Sequence, residues 1–391
     1  MLEQLEKIHG EMVNIRRHFH MNPELSYKEV ETPAYITKYL QNLGIEDIRT
    51  NVGGRGVVAT IKGKNPGKTV ALRADFDALP IPDEKDVPYK STVPGVMHAC
   101  GHDGHTASLL GVAKVLSQNT DKINGSVRLI FQFAEEKSPG GAIEMIKDGC
   151  MDGVDAVFGS HLSTKISVGE YGYRAGAFMA MPDEYTITIK GKGGHGAAPH
   201  QTIDSIVVAA NLVINLQQIV SRRIDPLKPA VVTVGQINGG NAFNVIADSA
   251  TIVGTVRTYD DEVQKIIQTE MERITKATCD LSGATFEIEY LRGYPAVIND
   301  KASTELVTQS LKKIVNPKKV IELEPSMGGE DFAYYLQKVP GCFFNTGAGN
   351  EERGIIYPHH HPKFDIDENG LLFASKALLT IALDYLSEVS N

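Results

Sequence analysis

The chain has 391 residues, about two and a half times a ~150-residue domain, so two or three compact units with a sizeable core are expected. Hydrophobic residues make up 42% and charged residues 22%, which excludes wholesale disorder, and no run approaches the ~18 uninterrupted apolar residues of a membrane span. With 39 Lys and Arg against 48 Asp and Glu, the formal charge of -9 repels a nucleic acid or other polyphosphate, and no basic patch offsets it.

In chain order, MLEQLEKIHGEMVNIRRHFH reads as an amphipathic helix without the features of a secretory signal, so a cytoplasmic protein is expected. Extended, β-branched runs follow at 56–62 (GVVATIK), 68–75 (KTVALRAD), 126–133 (SVRLIFQF) and 155–161 (DAVFGSH), with helical patterns at 104–118 and 142–148. Strands alternating with helices predict an α/β sheet with substantial parallel pairing. Polar residues gather where these strands end: Asp75 and Asp77, Glu135 and Glu136, and His161. In open α/β sheets the carboxyl ends of strands are where ligands sit.

From about Met181 the order becomes strand 184–190, helix 203–224, strands 230–236 and 249–258, helix 260–279 and strand 285–291. That is a ferredoxin-like βαββαβ unit, inserted into the first domain. The α/β texture then returns, with helices at 301–314, within 330–337 and at 370–388, and a strand at 341–345. The expected organisation is a discontinuous domain of residues 1–181 and 297–391, with residues 182–296 as an inserted domain.

The segment 97–105, MHACGHDGH, sets Cys100 and His102 two residues apart, where thiolate and imidazole can converge on a borderline metal. A lone Cys-x-His is ordinarily a buried cysteine beside surface histidines. Here Glu135 and Glu136, His161, and His359, His360 and His361 must be explained with it. Adjacent carboxylates after an apolar strand diverge, so that one can bind metal while the other moves protons. The plain alternative for any such pair is a solvated loop. Cys150, Cys279 and Cys342 are widely spaced and read as buried, inert residues with no disulfide framework.

Taken together, the motifs RRHFHMNPELSYKE (16–29), LRADFDALP (72–80), MHACGHDGH (97–105), AEE (134–136), GKGGHGAAPH (191–200), GGNAFNVIAD (239–248), GGEDFA (328–333) and HHPKFD (360–365) run from end to end of the chain. In that order they resemble the amidohydrolase branch of the metallopeptidase family that contains aminoacylase, carboxypeptidase G, hippurate hydrolase, auxin-conjugate hydrolases and N-acetyldiaminopimelate deacetylase.

The resemblance implies a mixed-sheet α/β/α binuclear-metal hydrolase domain with the ferredoxin-like insertion serving as lid and dimerisation domain. It implies two divalent ions per subunit held by Cys100, His102, Glu136, His161 and His360, with Cys100 as bridge. The family pattern His-x-Pro-x-[Phe/Tyr] selects His360 from the triple, leaving His359 and His361 as neighbours. Manganese is the first expectation, and zinc, cobalt or nickel also suit a thiolate bridge. Other branches bridge with aspartate and draw a ligand from an His-x-Asp motif; the matching segment here is Asp75-Phe76-Asp77, so His102 takes that place and Asp77 orients a ligand histidine.

Glu135 is then the general base on a metal-bridging water, and His195 the donor to the oxyanion, contributed across a homodimer. Without the resemblance His195 reads as an exposed turn residue. The implied substrate is an N-acyl amino acid, N-acetyl, benzoyl or similar, its carboxylate met by Asn244 and Arg257; Arg257 reads equally as a charge on a sheet edge. Competing readings are a dipeptidase or carboxypeptidase of the same fold, a non-catalytic metal- or ligand-binding relative, and a thiol-redox protein, the last lacking any Cys-x-x-Cys.

Overall fold

The fold is described from a computed structural model of the chain, over residues 1–388. Two compact units result. The first comprises Met1–Phe178, Ile298–Pro325 and the chain from Asp331 on; the second comprises Met179–Val297 and Ser326–Glu330. The return of Ser326–Glu330 to the second unit is fixed by a bridge between Met179 and Ser326 and by the Ala180 N–H donating to the Gly328 carbonyl.

The first unit is built on an eight-stranded mixed sheet. Its strands lie in the order Ile48–Val52, Gly56–Lys62, Asn124–Gln132, Asn65–Asp75, Ala156–Ser167, Gly341–Gly349, Tyr171–Tyr173 and Val320–Glu322. The four from Asn124–Gln132 to Gly341–Gly349 run parallel. Helices cover these strands, which explains why their central stretches, such as 70–72 and 156–158, hold consecutive buried apolar residues rather than alternating ones. Gly56–Lys62 pairs antiparallel and is also buried, over its first six residues.

The helix His102–Ser117 is buried along almost its whole length, with Ala107, Leu109, Leu110, Val112 and Ala113 fully enclosed. The C-terminal helix Asn369–Glu388 packs on it and on the strand Asn65–Asp75. By length and composition alone that C-terminal helix could cross a membrane. Its apolar residues Leu371, Ala377, Leu379, Ile381 and Ala382 instead fill the core of the first unit.

The second unit is a four-stranded antiparallel sheet in the order Ala230–Gly239, Ser249–Thr258, Met181–Lys190 and Thr285–Leu291. Two helices, Ser205–Gln218 and Asp261–Ser282, share its core, where Tyr185, Ile187, Ile189 and Ile252 meet Leu212, Leu216, Ile267 and Met271. Asp204 and Asp260 start these helices, each side chain accepting two backbone N–H groups of the first turn.

Several expected boundaries move. The helix expected over 203–224 ends at Gln218 and passes into a wider π-type turn, Ile219–Arg223. Within 330–337 only Ala333–Leu336 is helical. His161 does not end its strand, because the parallel partner Gly341–Gly349 continues to offer hydrogen bonds as far as Ser167.

Candidate metal centre

Backbone geometry gathers the site in the first unit. Gly101 adopts φ +92° between Cys100 and His102, a left-handed conformation natural to glycine, and this sharp turn starts the helix His102–Ser117. Ala134 at φ +50° turns the chain after the strand Asn124–Gln132 to present Glu135 and Glu136. His360, at φ +65°, is tied by its N–H to the carbonyl of Ala99, beside Cys100. Two non-glycine residues held left-handed around one cluster are the kind of local strain that accompanies functional sites.

The side chains meet in two groups that share Cys100: Cys100, His102 and His161, and Cys100, Glu136 and His360. Cys100 Sγ lies 3.4 Å from His161 Nε2. Glu136 Oε1 lies 3.3 Å from His360 Nε2 and 3.9 Å from His102 Nε2. Metal bonds of ~2.0–2.3 Å to N, O and S place neighbouring tetrahedral ligands about 3.3–3.7 Å apart, close to these spacings. His102 Nε2 and Glu136 Oε1 are buried and make no hydrogen bond. Converging donors left unpaired in this way fit divalent cations. Thus the structure brings together all five sequence-predicted ligands, with His360 rather than His359 or His361 facing Glu136.

Electrostatics point the same way. Burial, reinforced by Glu136 and Glu135, pushes the Cys100 thiol well up, and burial drives His161 well down. Burial also opposes charge on His102, but Asp75 and Asp77 overcome it and raise the imidazole to about 10. The pocket thus calls for positive charge, which divalent ions supply while favouring thiolate and neutral imidazole.

Surrounding groups set ring orientation. His102 Nδ1 donates to Asp77 Oδ1 at 3.1 Å and to the Asp77 carbonyl at 3.0 Å. Asp77 Oδ2 accepts from Ser26 Oγ and from the Glu136 N–H. The Leu162 carbonyl accepts from His161 Nδ1 and His359 Nε2, while the Leu162 N–H donates to His105 Nε2. His105 Nδ1 in turn donates to Asp75 Oδ1 at 2.6 Å, so both its ring nitrogens are committed away from metal. Behind Asp75, Arg73, Gln132 and Asp331 form a buried polar network.

The sequence reading missed this role for His105, although its i+3 spacing from His102 puts both on one helix face. From sequence Arg16 reads as either a surface or a salt-bridged residue, and the structure shows the second. Arg16 is fully buried and bonds Asp103 at 2.8 Å and Asp365 at 2.7 Å, because the helix His9–Met21 that carries it packs against the helix His102–Ser117. His20, likewise buried, donates Nδ1–H to Asp103 and accepts from Lys85 at Nε2.

The remaining candidates belong to the second unit. His195 and Asn244 are exposed neighbours there: the His195–Val245 pairing joins their segments, and the Gly196 N–H donates to the Asn244 carbonyl. They border a cavity of about 490 Å³ lined by Gly193, Gly194, Asn238–Asn241 and Val245–Thr251. Arg257 is not brought to them. It lies near the far end of the strand Ser249–Thr258, an inner strand rather than an edge, and its guanidinium bonds the Val256 and Asp183 carbonyls and the Thr255 hydroxyl.

Residues 71–384 match peptidase family M20/M25/M40. The chain is 53% identical over 383 residues to the putative amidohydrolase YhaA of Bacillus subtilis (strain 168), covering 98% of this chain and 96% of that protein. The chain belongs to peptidase family M20/M25/M40. The N-acetyl-L-cysteine deacetylase of the same organism is 44% identical, over 96% of this chain and 87% of that one. The crystal structure of the Bacillus subtilis YXEP protein, a dinuclear metal-binding peptidase from the M20 family, matches with a TM-score of 0.84 and 36% identity, over 98% of this chain and 99% of that one. As an M20-family member the chain is a metal-dependent amidohydrolase, and its clustered ligand groups accord with two divalent ions.

Proposed function

We propose that this M20-family enzyme hydrolyses the amide bond of N-acyl amino acids, releasing a carboxylate and an amino acid, with Glu135 as general base. The observation that carries the reading is the split between the adjacent glutamates: Glu136 groups with Cys100 and His360, whereas Glu135 groups with His102 and Glu136 without joining Cys100. Cys100, His102, Glu136, His161 and His360 would hold two ions, with Cys100 shared and manganese the first expectation. Such ions supply Lewis acidity, polarising an amide carbonyl and lowering the pKa of water toward neutrality. Glu135 takes the proton of the attacking water and passes it to the leaving amine, so one residue serves in turn as base and acid.

His195 supplies the donor that stabilises the oxyanion, reaching it from a second copy of the chain. A homodimer through the inserted unit is supported by its surface: Ile206, Val207 and Ile214 on the helix Ser205–Gln218 are exposed, beside an edge strand that exposes Ile237. Asn244 and Arg257 would meet the substrate carboxylate. Four free, buried cysteines, one at a ligand position, suit the reducing cytoplasm. A panel of acetyl, benzoyl and indole-acetyl amino acids and dipeptides, assayed with metal-free and manganese-loaded enzyme, tests the reading. Metal-dependent release from N-acyl amino acids is expected; turnover of dipeptides alone contradicts it.

A further inference from the structure

The segment before the helix Glu31–Asn42 braces the turn that carries the glutamates. Leu25 bridges Ala78, and Ser26 Oγ donates to Asp77 Oδ2 at 2.7 Å, the same oxygen that accepts the Glu136 N–H at 3.0 Å. On the other side of the turn, Glu29 Oε1 accepts the Ala134 N–H at 2.9 Å. Ala134 is the left-handed residue immediately before Glu135, and its carbonyl accepts from the Gly141 N–H. Glu29 is 1% exposed, and its second carboxyl oxygen is buried without a hydrogen-bond partner. Arg55 donates to the Glu29 backbone carbonyl, and its charge only partly offsets the upward push on the carboxyl.

We propose that Glu29 is a positioning residue for hydrolysis, its carboxyl holding the Ala134 peptide in the left-handed turn that aims Glu135. The assignment rests on Glu135 being the general base. Burial, then the nearby Asp77 charge, raises the Glu29 carboxyl to about 8, so near neutral pH it is mainly an uncharged acid. Glutamine therefore reproduces both its shape and its acceptor oxygen. Methionine keeps the bulk and removes the acceptor, and with it the partner of a buried N–H.

Manganese-loaded E29Q, E29M and E29A are compared with wild type for kcat, KM and bound metal. E29Q is expected to keep wild-type kcat. E29M and E29A are expected to lose about 10²-fold in kcat, the effect of a ~1 Å misplacement, with unchanged KM and two ions retained. In an E135A background E29M should add no further loss, since Glu29 acts through Glu135. Wild-type kcat in E29M, with E135A inactive, overturns the positioning role alone, whereas an active E135A removes the base reading itself. Metal loss or a KM rise in E29M, failure of both E29M and E29A to fold, or an E29Q as impaired as E29M each assigns Glu29 a merely structural role and overturns the proposal.

Discussion

His102 donates its Nδ1 proton to Asp77 Oδ1 at 3.1 Å, and Nε2, on the other side of the ring, is left buried without a hydrogen bond. The carboxylate fixes the ring plane, so Nε2 faces the group formed with Cys100 and His161 and can ligate once a metal ion displaces its proton. Replacing Asp77 by Ala is expected to weaken metal affinity by about 10–100-fold, a typical loss for such outer partners. Competition against a chelator of known affinity measures it, and unchanged affinity would remove Asp77 from this role.

Glu135→Ala should bind two metal ions as wild type does and lose about 10²–10⁴-fold in kcat, the usual contribution of general acid–base catalysis. Metal analysis and steady-state kinetics on one preparation read both quantities. A variant hydrolysing at the wild-type rate contradicts the assignment of the base.

Acid should destabilise the fold through two buried histidines. Burial first, and for His98 the neighbouring His20 and His102, lowers His98 to about 4; burial also lowers His359 to about 4. Unfolded, both titrate near 6.5, so as pH falls the unfolded chain takes up protons that the folded chain refuses. Their contribution is fully present above pH 6.5 and is lost as pH falls through about 4. Urea midpoints of the metal-free enzyme from pH 7 to 4 should fall, and His98→Leu should flatten part of that slope; equal slopes for variant and wild type would contradict this.

Arg16→Ala is expected to destabilise the protein by about 3–5 kcal/mol, because it leaves the fully buried Asp103 carboxylate without its guanidinium partner. Denaturant unfolding measures the loss, and a change within about 0.5 kcal/mol, as for an ordinary surface substitution, would contradict it.

What the sequence disclosed follows from the range of the interactions involved. Strands such as Gly56–Lys62 and Asn124–Gln132 are legible because burial on the sheet imposes a local apolar pattern. Three-residue strands such as Tyr171–Tyr173 and Val320–Glu322 carry too few residues for any period. Cys100 and His102 declare themselves by adjacency, and His161 and His360 are drawn in by motif resemblance. Contacts of Arg16 with Asp365, 349 residues away, and of Glu29 with Ala134, 105 residues away, leave no local trace. On the helix 203–224 the apolar face was expected at Ile206, Val207, Ala210, Val213 and Leu216, but in so apolar a run periodicity could not tell which positions the sheet would cover; Ile206 and Val207 are exposed, and Val208, Ala209, Leu212 and Leu216 are buried.

Cys100 belongs to both ligand groups, so a single two-ion centre depends on it. Calorimetric titration of the metal-free enzyme with manganese tests this most directly, with the Cys100→Ser variant run in parallel. Wild type should take up two equivalents per chain and Cys100→Ser fewer; saturation of wild type at one equivalent, or an unchanged stoichiometry in the variant, would contradict it.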